Sequence, residues 1–137
     1  LNAVLGLSQI KRLDYNIDKR IENLNTWVDS LNKEKFFVDF KIEGSSNFAL
    51  PLIVLNNDKD RFIRACQILD RSQVEYRVGT AGGGNQSRQP YLKKFDFIAG
   101  DLPNSDYIHE FGLYVGNHPE LKEEQIKELC KKLNEES

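Results

Sequence analysis

Apolar residues recur every three or four positions from the first residue onward: Leu1, Val4, Leu7, Ile10, Leu13, Ile17, Ile21, Leu24, Val28 and Leu31. A stripe with this period lies on one side of an α-helix. Lys11, Arg12, Asp14, Asp18, Lys19, Arg20 and Glu22 fill the other side and read as a solvated surface. A helix of about 30 residues is roughly 45 Å long, more than the ~30 Å width of a globule of this size. Its first turns therefore need a partner outside such a globule. The chain has no methionine, and its first residue already belongs to the stripe. The expectation is that the sequence begins inside a larger protein, whose other domain and whose second copy cover that patch.

The polar break 32–35 ends the helix. Residues 36–42 then alternate, with Phe36, Val38, Phe40 and Ile42 set against Asp39 and Lys41, as in a half-buried strand. Residues 48–55 are apolar on both faces, and Pro51 removes a ladder donor, so that strand is an edge there or carries a bulge. Asn56, Asn57 and Asp58 precede a helix over about 58–71, with Phe62, Ala65, Cys66 and Leu69 on its apolar side. A short strand, 74–78, places Arg77 beside Glu75 on one face. A helix starting near Pro103 ends at Gly112, read as a left-handed stop. A brief strand, 113–115, and a helix over about 122–134 complete the order. Lys131 and Lys132 suit the negative end of that last helix. This is an α+β layer with a mainly antiparallel sheet covered by helices.

Between the strand 74–78 and the helix at Pro103 lies the Gly-dense segment, residues 79–91. Glycine permits close approach of a ligand to the backbone, and Asn85, Arg88, Gln89 and Tyr91 supply donors and acceptors on the same loop. Two readings stand: a ligand-binding loop, or a mobile surface loop. No Gly-Lys-Ser/Thr follows the glycines and no helix opens at the last of them, which excludes a P-loop and a dinucleotide fingerprint. His109 and His118 lack metal-ligand spacing. His118 beside Asn117 reads either as a surface residue or as a ligand contact. Cys66 and Cys130, far apart in helical patterns, read as small core residues. A net charge of −2 argues against a nucleic-acid footprint. No apolar run nears the ~18 residues of a membrane span, and a reducing cytoplasm is the default setting. The residues taken alone indicate a binding loop without catalytic machinery.

The run Leu1-Asn2-Ala3-Val4-Leu5-Gly6-Leu7-Ser8-Gln9-Ile10-Lys11-Arg12-Leu13-Asp14 resembles the interdomain helix of the DegT/DnrJ/StrS-type sugar-nucleotide aminotransferases, fold-type I enzymes that use pyridoxal phosphate (PLP). Arg88-Gln89-Pro90, Gly100-Asp101-Leu102-Pro103-Asn104-Ser105-Asp106 and Gly112-Leu113-Tyr114-Val115-Gly116-Asn117-His118-Pro119 resemble the hexulose 3-dehydratase branch that serves lipopolysaccharide synthesis. Lys122 departs from the Ser or Thr that such enzymes place before their last helix. The resemblance implies an interdomain helix at 1–31 and a small C-terminal α+β domain at 32–137. It implies homodimers, and PLP held upstream in a large domain, on a lysine or, in the dehydratases, a histidine. His109 and His118 are then not that histidine, and this portion alone is expected to be inactive. It also implies a nucleotide-linked 4-keto-6-deoxy sugar as substrate, aminated at C4 or dehydrated at C3.

The candidate substrate contacts are Arg77, Gly84, Asn85, Arg88, Gln89, Pro90, Asn117 and His118. Arg77 and Arg88 would pair with diphosphate, and Asn85, Gln89, Asn117 and His118 would meet hexose hydroxyls. The competing role for Arg88 is an ion pair with Asp96 or Asp101 that closes the loop. The competing role for the whole chain is a stand-alone α+β binding or interaction module.

Overall fold

A computed structural model describes residues 2–95 and 100–137. The first stripe folds as two helices rather than one: α1, Asn2–Ile10, and α2, Leu13–Ser30. At the junction the Arg12 amide donates to Gln9 O, a tighter i→i−3 bond, and Arg12 takes φ −112°, ψ 5°. The apolar period runs unbroken through this step, so periodicity did not reveal it. The two helices also differ in burial. No residue of α1 is buried, while α2 sinks Asn23, Leu24 and Trp27. Trp27 is fully buried and lies outside the stripe read from sequence.

Three strands form one antiparallel sheet in the order β1-β3-β2: β1 Ala49–Ile53, β2 Tyr76–Val78 and β3 Gly112–Gly116. Leu50 faces Val115 and Leu52 faces Leu113, and all four are buried on the inner side. α2, α3 (Lys59–Arg71) and α5 (Glu123–Glu136) cover that side with Leu24, Trp27, Ala65, Ile68, Leu69, Ile126, Cys130 and Leu133. The alternate positions Pro51, Tyr114 and Arg77 share one register row on the outer side. No helix of the described residues is long and apolar enough to cross a membrane.

Pro51 sits in an edge strand, as its missing amide requires. The Pro51 and Ile53 carbonyls face away from β3, where they accept from Trp27 Nε1 at 2.7 Å and from the Phe37 amide at 2.9 Å. The indole and residue 37 thus satisfy an edge that would otherwise invite another chain.

The strand expected at 36–42 is absent. Only Phe36 bridges, to Val54, and a turn follows in which the Phe40 amide donates to Val38 O. Phe36 is fully buried, Val38 and Ile42 pack on the core, and Phe37 and Phe40 meet edge to face at 5.0 Å. The alternation served packing without a second strand to pair with.

Gly112 is not a left-handed stop either; at φ −109°, ψ 143° it opens β3. A Cβ there would come within 2.5 Å of Ile108 O, so glycine is required by close approach.

Asp58 caps α3 by accepting from the Arg61 amide, after a turn in which Asn56 and Asn57 take positive φ. The Gln125 side chain accepts from the Lys122 amide at 3.0 Å, which preserves half of a cap where lysine replaces Ser or Thr. α5 runs past Lys131 and Lys132, and its carboxyl end is met instead by Lys35 Nζ, which donates to the Asn134 and Ser137 carbonyls. Cys66 and Cys130 are free, and burial pushes the Cys130 thiol up to about 12.

Candidate functional site

Residues 79–94 coil into three short 3-10 turns between β2 and α4 (Pro103–Phe111): Gly79–Gly82, Gln86–Arg88 and Pro90–Lys94. Two glycines in this segment take positive φ, Gly79 at 56° and Gly83 at 80°. Gly84 is needed for space: a Cβ would lie 2.8 Å from Gly79 O and 2.9 Å from His109 Cα. The close approach is thus to α4.

Asn85 is buried. Its carbonyl oxygen accepts from the Ser87 amide and hydroxyl, and its Nδ2 donates to Asp106 Oδ1 at 2.8 Å. Arg88 Nε lies 2.8 Å from the same Asp106 oxygen, and Arg88 Nη1 meets Glu110. The bond from Asn85, reinforced by the Arg88 charge, holds the Asp106 carboxyl below the usual range. Arg88 does the same to Glu110, and the two carboxylates raise the already high pKa of Arg88. One positive charge between two negative ones leaves this trio net negative, a poor environment for a phosphate.

Of the two partners expected for Arg88, only Asp101 can be compared. Asp96 lies outside the described residues, and the arginine is clamped by Asp106 and Glu110 instead of Asp101. Asp106, His109 and Glu110 fall at helical spacing on one face of α4, a signal that was legible once the helix start at Pro103 was placed.

Arg77 is freer. Its partner is Glu75, two residues back and just before β2, and their side chains are 56% and 79% accessible. Such a pair contributes little and exchanges readily. Gln89 is half-buried and Pro90 exposed, the latter opening the third turn.

Asn117 and His118 lie at the far end of β3. From Leu113, beside the glycine turns, to Asn117 is four extended residues, roughly 13 Å. The eight candidate residues are therefore not one cluster. Asn117 is buried and fully engaged: Nδ2 donates to the Arg20 and Asn47 carbonyls, Oδ1 accepts from Asn23, and the amide donates to Phe48 O. Asn23 also donates to His118 O. The His118 side chain is exposed, and its Nδ1 accepts from the Glu120 amide. Asn23 was missed in the sequence; its one signal is an asparagine flanking an apolar stripe. Among the described residues no group of three or more His, Cys, Asp or Glu could hold a metal ion.

The profile of the DegT/DnrJ/EryC1/StrS aminotransferase family matches residues 1–134. The chain belongs to this family. A GDP-4-keto-6-deoxy-D-mannose 3-dehydratase of Yersinia pseudotuberculosis is 29% identical over 132 residues, which cover 94% of this chain and 33% of that protein. The lipopolysaccharide biosynthesis protein RfbH of Salmonella typhimurium is 24% identical over 140 residues, covering 98% of this chain and 32% of that one. Among solved structures, E. coli GDP-4-keto-6-deoxy-D-mannose-3-dehydratase with bound hydrated PLP matches with a TM-score of 0.80 at 25% identity, over 93% of this chain and 33% of its own. This family member thus spans about a third of the length of the curated relatives it matches. The α+β architecture and the family expected from the first stripe and the glycine loop are both upheld.

Proposed function

We propose that this chain is the small C-terminal portion of a PLP-dependent enzyme that dehydrates a nucleotide-linked 4-keto-6-deoxy sugar at C3, or aminates it at C4, in the making of lipopolysaccharide sugars. The observation that carries the reading is the family match, which runs through the two opening helices and the α+β domain alike. In this reading residues 1–31 link the domains and 32–137 form the small domain. The enzyme works as a homodimer in the cytoplasm, where nucleotide sugars are made. Val4, Leu5, Leu7 and Ile10, exposed on α1, support a docked partner there.

PLP requires an amine or imidazole for its aldehyde, a partner for its ring nitrogen and donors for its phosphate. The larger cavities of the described residues do not gather such a set. One of about 310 Å³ is lined by Trp27, Leu50, Val115 and Leu129, with Lys132 as its lysine, and that lysine pairs with Glu128 on an exposed face. Two others, of about 330 and 420 Å³, are lined by Phe37, Leu55, Asn104 and Tyr107 and by Phe40, Phe48, Pro51 and Tyr114, and neither has a lysine. These residues do not fit the cofactor. The reading assigns PLP to the large domain upstream.

The part left to this chain is a substrate wall. Arg77 is the side chain best suited to diphosphate, because its fork is exposed and its present partner is weak. Gln89, Pro90 and His118 remain as candidate sugar contacts, while Gly84, Asn85, Arg88 and Asn117 support the wall from within. The test uses the full-length enzyme with PLP, glutamate and GDP-4-keto-6-deoxy-D-mannose, and reads the product by mass spectrometry. A product without the C3 oxygen marks dehydration, and one with an amine at C4 marks transamination. Absence of both products, with no PLP absorbance, overturns the reading. Arg77→Ala is expected to raise KM by about tenfold or more.

A further inference from the structure

α4 holds residues 79–94 at three levels. Asp106 takes Asn85 and Arg88, and Glu110 takes Arg88 one turn on. Between them in sequence stands His109, against which Gly79 and Gly84 both pack. A Cβ on Gly84 would lie 2.8 Å from His109 Nδ1, and one on Gly79 would lie 3.7 Å from Cε1 and Nε2. The Gly84 amide closes the turn by donating to Gly79 O at 2.8 Å. His109 Nδ1 is buried and has no hydrogen-bond partner among the described residues. A buried polar atom left unpaired is unfavourable, so this ring is held in place by its packing and not by hydrogen bonding. No role in the reading above uses it.

We propose that His109 is a positioning residue for the substrate wall: its ring is the spacer that sets the Gly79-to-Gly84 turn over α4. Arg77 lies two residues before that turn and Gln89 five residues after it, so the height of the turn fixes where both side chains emerge. The proposal rests on the reading that residues 77–90 face the substrate. It does not depend on which nucleotide or sugar is bound.

Three variants of the full-length enzyme test it. His109→Ala removes the spacer, His109→Phe keeps a ring without polar atoms, and His109→Gln keeps polarity without a ring. Amide hydrogen exchange at Gly84, without substrate, reports the seating of the turn. Steady-state KM and kcat report its consequence. In His109→Ala, exchange is expected to quicken by about tenfold or more, with KM raised about tenfold and kcat within about threefold of the parent. His109→Phe should stay near the parent in both measurements, and His109→Gln should resemble His109→Ala. Unchanged exchange in His109→Ala overturns the proposal, as does rescue by Gln but not by Phe. If His109→Ala does not fold, His109→Phe decides: parental exchange and KM support the spacer, and a raised KM overturns it. Faster exchange with an unmoved KM also overturns it. Arg77→Ala, measured in parallel, then separates the cases: a raised KM there leaves the substrate wall standing, and an unmoved one removes that reading too.

Discussion

Arg88 Nε lies 2.8 Å from an Asp106 carboxylate oxygen, 18 positions away in sequence, and that same oxygen accepts from Asn85. The pair ties the glycine-rich turns to α4, with Glu110 as a second anchor for the arginine. An arginine that looked like an anion-binding group in the sequence is thereby held by two anions of its own chain.

This clamp has a definite pH dependence. Asp106 and Glu110 both have their folded pKa lowered, chiefly by hydrogen bonds from Asn85 and Arg88 respectively. A lowered carboxyl pKa stabilises the fold above the unfolded value, near 4, and that contribution disappears as pH falls through the folded value. Arg88→Ala should therefore lower Tm by a few degrees at neutral pH. The gap between parent and variant should close progressively below about pH 4. Thermal scans across pH check this; a gap that persists at low pH removes the carboxylates from the explanation.

Trp27 is the sole tryptophan of the chain, is fully buried, and its Nε1 donates to Pro51 O at the free edge of β1. Trp27→Phe leaves that carbonyl without its partner and should destabilise by about 1–3 kcal/mol. Trp27→Ala adds a cavity and should cost about 3–5 kcal/mol. Urea unfolding followed by far-UV circular dichroism measures both. If Trp27→Phe unfolds like the parent, the edge contact contributes nothing.

Asn117 joins α2, the segment around Asn47 and the end of β3 through its side-chain amide. Asn117→Ala removes the bonds to the Asn47 carbonyl and from Asn23 Nδ2, along with the second bond at Arg20 O, and should destabilise by about 2–3 kcal/mol. Asn117→Asp should be no milder, because a carboxylate would face two acceptors. The variant enzyme's KM, measured well below its Tm, should change little. A raised KM at unchanged stability would show a substrate contact and not a structural tie.

Val4, Leu5, Leu7 and Ile10 on α1 are between 56% and 68% exposed, and Leu13 and Tyr15 extend the patch into α2. The 137-residue chain should self-associate through this face. Leu7→Asp with Ile10→Asp should shift sedimentation toward monomer while leaving the Tm within about 2 °C, since α1 adds nothing to the buried core. A parent that is monomeric across a wide concentration range counts against the patch as an interface.

What the sequence determined by itself is the set of local elements. The apolar period marks α2, α3 and α5, the run 56–58 marks a cap, and Pro51 marks an edge or a bulge, because each acts within a few residues of chain. The resemblance carried by the opening stripe and the Arg-Gln-Pro and Gly-Asn-His-Pro segments identified the family. Tertiary structure decided the rest. The step at Arg12 leaves the apolar period intact, so no local pattern shows it. Residues 36–42 alternate like a strand, yet pairing requires a neighbour with free backbone groups; beside Phe36 only the Ile53 carbonyl and the Leu55 amide are engaged, and the Val54 amide is already taken by Phe111 O. Gly84 reads in the sequence as room for a ligand and Gly112 as a helix stop, but both are demanded by α4 packing against them. Arg88 and Asn117 carry the chemistry of ligand contacts, and long-range partners 18 to 97 positions away engage both, Arg88 at the surface and Asn117 in the interior. Charge and hydrogen-bonding capacity are properties of a residue; whether they face a ligand or the protein depends on what the fold brings beside them.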